Sequence, residues 1–228
     1  MNTKQKILLS LGSIFILLFI IWTVLLTLID IAPIGPYGSC VGFAWLNEHF
    51  HKLVGVNMTI YTITDWLGII PVLIAFSFAI LGLVQLIKRK SFFKVEQSLL
   101  LLGCFYISVI AVFLLFEKLV INYRPLLIGG ALEASYPSST TLLFSTVMPT
   151  AIVEINARIK SDCARRFITV LIGFTALFGI GGRIFSGVHW ASDIIGGILV
   201  SSGLDLIYIA LRDYLEKSDK KVDTDRAI

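Results

Sequence analysis

Long apolar runs broken by short polar segments dominate this chain. Runs able to cross about 30 Å of hydrocarbon as helices lie near residues 7–29, 66–87, 98–116, 141–157, 167–182 and 193–211. The pattern predicts an all-α fold, a six-transmembrane helix bundle forming a single domain over residues 1–228. The fourth and fifth runs are short and mixed with Ser, Thr and Gly, as expected of helices packed inside a bundle. The first run follows Lys4 and Lys6 in the manner of a signal peptide. Its length of about 23 residues and its lack of an A-x-A-like cleavage site predict a retained anchor.

A long segment, Asp30 to about Asp65, separates the first two runs. It begins IAPIGPYG, whose prolines and glycines stop a helix. Beyond it, Phe43, Leu46, Phe50, Leu53 and Val54 recur at helical spacing opposite Asn47, Glu48 and Lys52, which predicts an interfacial helix lying flat in the first outer loop. Such a helix is either a plain cover or one lip of a lipid-entry groove, in which His49 or His51 faces a site.

Composition agrees with a membrane class: 57% of the 228 residues are hydrophobic and 15% charged, a balance unlike that of a soluble domain. Charge then sets the topology. Lys88, Arg89, Lys90 and Lys94 fall between the second and third runs, and Arg158, Lys160, Arg165 and Arg166 between the fourth and fifth. The positive-inside rule puts both loops, the Lys-bearing N-terminus and the tail EKSDKKVDTDR in the cytoplasm, and the other three loops outside. The net charge of +4 is thus a topology signal and not a nucleic-acid footprint. Cys40, Cys104 and Cys163 fall in different compartments, so neither an intrachain disulfide framework nor a metal site is expected. Asn57-Met58-Thr59 fits a glycosylation sequon on the outer side.

Ionisable residues at bilayer depth are costly, so their placement carries information. They gather on the outer side. Glu117, Lys118, Arg124, Glu133 and the run SYPSSTT lie between the third and fourth spans; Arg183, His189 and Asp193 lie between the fifth and sixth. If the sixth helix starts near His189, then His189 and Asp193 share one face, and the carboxylate can accept a hydrogen bond from one imidazole nitrogen, freeing the other. Arg183 and Arg124 supply guanidinium charge suited to a phosphate, and Pro125 disfavours helical geometry at Arg124. Ser138 and Ser139 head the fourth helix, either as ordinary caps or as a phosphate seat.

These residues resemble the type 2 phosphatidic acid phosphatase family, membrane relatives of the vanadium haloperoxidases. Its pattern is Lys, six residues, Arg-Pro; then Pro-Ser-Gly-His; then Ser-Arg, five residues, His, three residues, Asp. The stretch GRIFSGVHWASD matches the third part at Arg183, His189 and Asp193, with Gly182 in place of Ser. The other parts depart from it. In KLVINYRP only five residues separate Lys118 from Arg124, so strict register puts Glu117 at the lysine position. In PSST, Thr140 stands where the family has the histidine that protonates the leaving oxygen.

The resemblance implies a six-span enzyme, free of metal and cofactor, acting on a phosphorylated membrane lipid at the outer face of a bacterial cell membrane. His189 would be the nucleophile, forming a phosphohistidine, Asp193 its orienter, and Arg124, Arg183 and Lys118, with Ser138 and Ser139, the phosphate ligands. Undecaprenyl diphosphate, phosphatidic acid and phosphatidylglycerophosphate types are the substrate classes. Thr140 favours a diphosphate, whose leaving group has less need of an acid, unless Tyr136, His49 or His51 replaces the lost imidazole. Two other readings stay open: a weak relative that binds or moves a phosphorylated lipid, and a lipid phosphotransferase.

Overall fold

The computed structural model describes the backbone of residues 1–226 and the side chains of residues 1–217. Of the tail EKSDKKVDTDR, residues 216–226, the part from 218 onward lies outside the described side chains. Eight α-helices follow one another: α1 (Thr3–Leu26), α2 (Ala44–Val54), α3 (Met58–Leu67), α4 (Ile69–Arg89), α5 (Gln97–Lys118), α6 (Ser139–Arg158), α7 (Asp162–Ser186) and α8 (Ala191–Arg226). Two single 3₁₀ turns, Pro36–Gly38 and Phe92–Lys94, and isolated β-bridges accompany them among the described residues. The fold is all-helical.

Five segments are long and apolar enough to cross a membrane: α1, the continuous α3–α4 rod Met58–Arg89, α5, α7, and α8 as far as Lys217. Their outward faces carry Ile14, Leu17, Phe76, Leu83, Val170, Phe174 and Leu177, all exposed. That is the reverse of a soluble protein, and the protein is an integral membrane protein. The expected span at 141–157 corresponds to α6, whose 20 residues reach about 30 Å but which is too polar to qualify by composition. It packs against α4, α5, α7 and α8, and it buries Thr141, Thr146, Thr150 and Glu154. Thr146 and Thr150 donate to the carbonyls of Leu142 and Thr146, so their hydroxyls are satisfied within the helix.

The deepest partner of the bundle is α8, which packs against α1, α5 and α6. At its crossing with α1, Gly12 and Gly203 face each other: a Cβ on Gly12 would lie 2.9 Å from the Gly203 carbonyl oxygen. Small residues at a helix contact let the backbones close, the usual means of association where lipid removes the hydrophobic drive.

Two helix ends differ from the sequence expectation, and both matter for the site. Arg183 lies within α7, on its last turn, because that helix continues to Ser186 and is capped by Gly187 at φ 64°. His189 precedes α8 instead of riding on it, since residues 187–190 form a tight link and the helix starts at Ala191. In the first loop, α2 forms where expected, but Asn47, read as a polar-face residue, is buried. It donates to Ser192 Oγ at 2.9 Å and accepts from Ser192 N at 3.1 Å, docking α2 on the start of α8.

Candidate active site

The connection between α5 and α6 is not a plain loop. Gly129 and Gly130 have φ of 58° and 82°, and Ile128 and Ala131 exchange both backbone hydrogen bonds, which makes a two-residue hairpin turn. Arg124 N donates to Glu133 O at 3.0 Å and Ser135 N to Asn122 O at 2.9 Å. The hairpin therefore presents Arg124, Glu133 and Ser135 together. Its register is tied to the α7–α8 link by Trp190 Nε1, which donates to Tyr123 O at 2.7 Å, and by Ser138 N, which donates to Asp193 O at 3.1 Å.

His189 is 1% exposed. Its Nδ1 lies 3.0 Å from Ser135 Oγ, and its Nε2 is buried with no hydrogen-bond partner. The expected direct bond to Asp193 is absent, for Nδ1 and Oδ2 are 3.7 Å apart, beyond hydrogen-bond reach. With His189 two residues ahead of the helix, the i, i+4 geometry that would have brought the pair together does not apply. Ser135 fills the space between them and donates to Asp193 Oδ2. That oxygen also accepts from Trp190 N at 3.0 Å, while Oδ1 takes the Asn122 amide at 3.3 Å. Burial holds the His189 pKa down at about 4, the nearby charges of Arg124 and Arg183 act in the same direction, and Asp193 opposes them. The imidazole is neutral at physiological pH.

Both arginines converge on this ring electrostatically. Arg183, 1% exposed, donates from Nη2 to Asp65 Oδ1 at 2.8 Å and lies over the Tyr61 ring at 5.0 Å, while its Nε and Nη1 have no partner. Gly182 makes this possible. A Cβ there would stand 2.1 Å from Thr64 Cγ2, so the serine usual in the resembled motif would push α3, and Asp65 with it, away. Arg124 Nε is 3.0 Å from Glu133 Oε2, an ion-pair distance outside hydrogen-bond geometry, and its buried Nη1 is also unpartnered.

A cavity of about 320 Å³ opens beside His189, with Arg124, Glu133, Ser135, Tyr136 and Ser139 in its wall. That is room for a phosphorylated headgroup, at the lower end of ligand pockets of about 300–1,000 Å³. The remaining expectations sort by this wall. Glu117 lines it and Lys118, exposed at the end of α5, does not; one residue of offset turns a helical side chain by about 100°. Ser139 lines it, whereas Ser138 is buried and accepts from Thr141 N and Oγ1, which is ordinary capping. Thr140 is not part of the wall, nor are His49 and His51. His49 Nδ1 is 3.1 Å from Trp45 O, and the His51 ring packs 5.5 Å from that of Trp190. Tyr136 lines the wall but its hydroxyl is engaged with Thr23 at 2.6 Å, and burial raises its pKa.

Ser135, Asn122 and Asp65 are the residues that sequence reasoning missed. Gly-Gly between two apolar stretches is a hairpin signal that would have paired Ser135 with Asn122. Asp65, at the edge of an apolar run, is the kind of intramembrane carboxylate that asks for a partner.

No family model matches the sequence, and no curated protein matches it significantly. In fold it is similar to the first transmembrane PAP2 type phosphatidylglycerolphosphate phosphatase from Bacillus subtilis, known from its crystal structure. The TM-score is 0.59 at 17% identity, with 90% of this chain and 96% of that chain covered. At this level of identity the likeness is one of overall fold.

Proposed function

We propose that this protein is a membrane lipid phosphatase that works through a phosphohistidine on His189. The observation that carries the reading is the buried, unpartnered Nε2 of His189 beside an anion-sized cavity, with two guanidinium groups acting on the same ring. In the first step Nε2 forms a bond to phosphorus as the bond to the leaving oxygen breaks; Arg124 and Arg183 hold the phosphoryl oxygens. Water then attacks phosphorus, inorganic phosphate leaves and the neutral imidazole returns. With α6 counted as a span alongside the other five, the positive-inside rule puts this end of the bundle outside, both termini in the cytoplasm and α2 at the outer interface.

A lipid substrate is favoured by a second cavity of about 220 Å³ between α5 and α6, walled by Val109, Ile110, Phe113, Leu142 and Leu143. It shares Phe113 and Ser139 with the polar cavity, so an apolar cavity adjoins the polar one where the start of a hydrocarbon chain would follow its headgroup. The absence of an imidazole at Thr140 favours a diphosphate over a monoester. Glu117 and Glu133 in the wall weaken the positive field there and specifically favour the rival reading, a weak relative that binds a phosphorylated lipid without turning it over.

The test is phosphate release by purified protein from lipid monophosphates and diphosphates, with acid-labile label trapped on His189 from a phosphorus-labelled substrate. Label and release together support the phosphatase; binding without either supports the rival; label that passes only to an added lipid acceptor supports a phosphotransferase.

A further inference from the structure

We propose that Ser135 is the positioning residue of His189, a hydroxyl relay through which Asp193 sets the imidazole tautomer. The inference rests on the reading of His189 as nucleophile, and its geometry stands independently of that reading. Three groups are in line: His189 Nδ1, Ser135 Oγ at 3.0 Å, and Asp193 Oδ2, to which that hydroxyl donates. Ser135 Oγ donates to Asp193 Oδ2, so its single proton is committed there. Ser135 Oγ then has lone pairs alone to offer the ring, and Nδ1 must carry the imidazole proton. Nε2 is left as a bare lone pair. Its lack of any partner fits this assignment, because a protonated Nε2 would be a buried donor with nothing to receive it.

Asp193 is itself fixed for the task. Trp190 N and the Asn122 amide donate to it at 3.0 and 3.3 Å, so the carboxyl group is held in place and cannot turn toward the ring. The order of the groups also excludes a serine hydrolase triad. There the histidine lies between serine and carboxylate; here the serine lies between, its proton turned from the ring, so Ser135 is not a nucleophile. When Nε2 bonds to phosphorus with Nδ1 still protonated, the ring becomes cationic. Ser135 accepts the Nδ1 hydrogen, and the Asp193 charge one hydroxyl away stabilises that cation.

The test is nitrogen NMR of histidine-labelled protein in nanodiscs, where only three histidines give signals. Wild-type His189 is expected as the Nδ1-H tautomer; finding it as Nε2-H overturns the proposal without any variant. Ser135→Ala is expected to raise the Nε2-H population and to lower kcat about 10- to 100-fold with KM little changed. Ser135→Thr, which keeps the hydroxyl, restores both. An unchanged tautomer in Ser135→Ala overturns the relay, as does equal loss in both variants with the tautomer intact. The spectra need no turnover: if His189→Ala keeps full activity while Ser135→Ala shifts the tautomer, the phosphatase reading fails and the relay stands.

Discussion

Two buried ionic clusters occupy opposite ends of α6, and they are built on opposite principles. Near its C-terminus, Glu154 accepts from Tyr208 and Arg212 at 2.6 Å each and from Arg158, which continues to Glu96 at 2.7 Å; Arg212 reaches on to Glu216 at 2.9 Å. No buried side-chain atom of Glu154, Arg158 or Arg212 lacks a partner. At the N-terminal end of α6, by contrast, His189 Nε2, Arg124 Nη1, and Arg183 Nε and Nη1 are buried without one. An unsatisfied buried polar group costs about 1–3 kcal/mol; His189 and Arg124 carry theirs in the wall of the polar cavity, whereas Arg183 lies outside that wall. The closed cluster is satisfied within the protein; the open one leaves donors and a ring nitrogen free, as the proposed phosphate site requires.

The contrast breaks if either cluster behaves like the other. His189→Ala has the largest expected effect: loss of phosphate release on the order of 10⁴-fold or more with an unchanged melting temperature. Full activity in that variant removes the assigned nucleophile. Arg124→Ala should cost about 10²- to 10³-fold in kcat/KM, read in the same assay. Glu154→Ala should instead destabilise by about 3–5 kcal/mol, seen as a lower melting temperature in detergent, while turnover per folded molecule holds. Catalytic loss at unchanged stability there would put function in the wrong cluster.

Two smaller effects sharpen the comparison. His189 titrates at about 4, below the ordinary value of 6.5, so its imidazole signals should show a neutral ring at every pH above about 5. Between 6.5 and 4 the unfolded chain binds a proton that the folded one refuses, so this group lowers stability as pH falls through that window. Thr140→His should change turnover by a few-fold at most, upward and chiefly on monoesters, because Thr140 stands outside the cavity wall.

The helices were legible from apolar run length because hydrocarbon thickness fixes it, and all six expected runs coincide with helices. Arg124, Arg183 and His189 were legible as a group because charge at such depth is conspicuous. What escaped was set by register. Ser135 reads as one more serine in SYPSSTT until the Gly129–Gly130 turn fixes which residue faces Asp193. The partner of Arg183 lies 118 residues earlier, in a helix whose approach depends on Gly182, and no local pattern reports such a contact. That α8 starts at Ala191, past His189, follows from Gly187 ending α7 in a left-handed turn, a backbone choice that sequence spacing does not reveal.

The Glu133 carboxylate beside Arg124 carries one more consequence. Because it is tethered to the same hairpin, any loosely held oxyanion meets a rival whose local concentration never falls. On the proposed reading, free inorganic phosphate would be a poor occupant and would depart readily, whereas a phosphate anchored by its own hydrocarbon tail would be tethered too and would compete on equal terms.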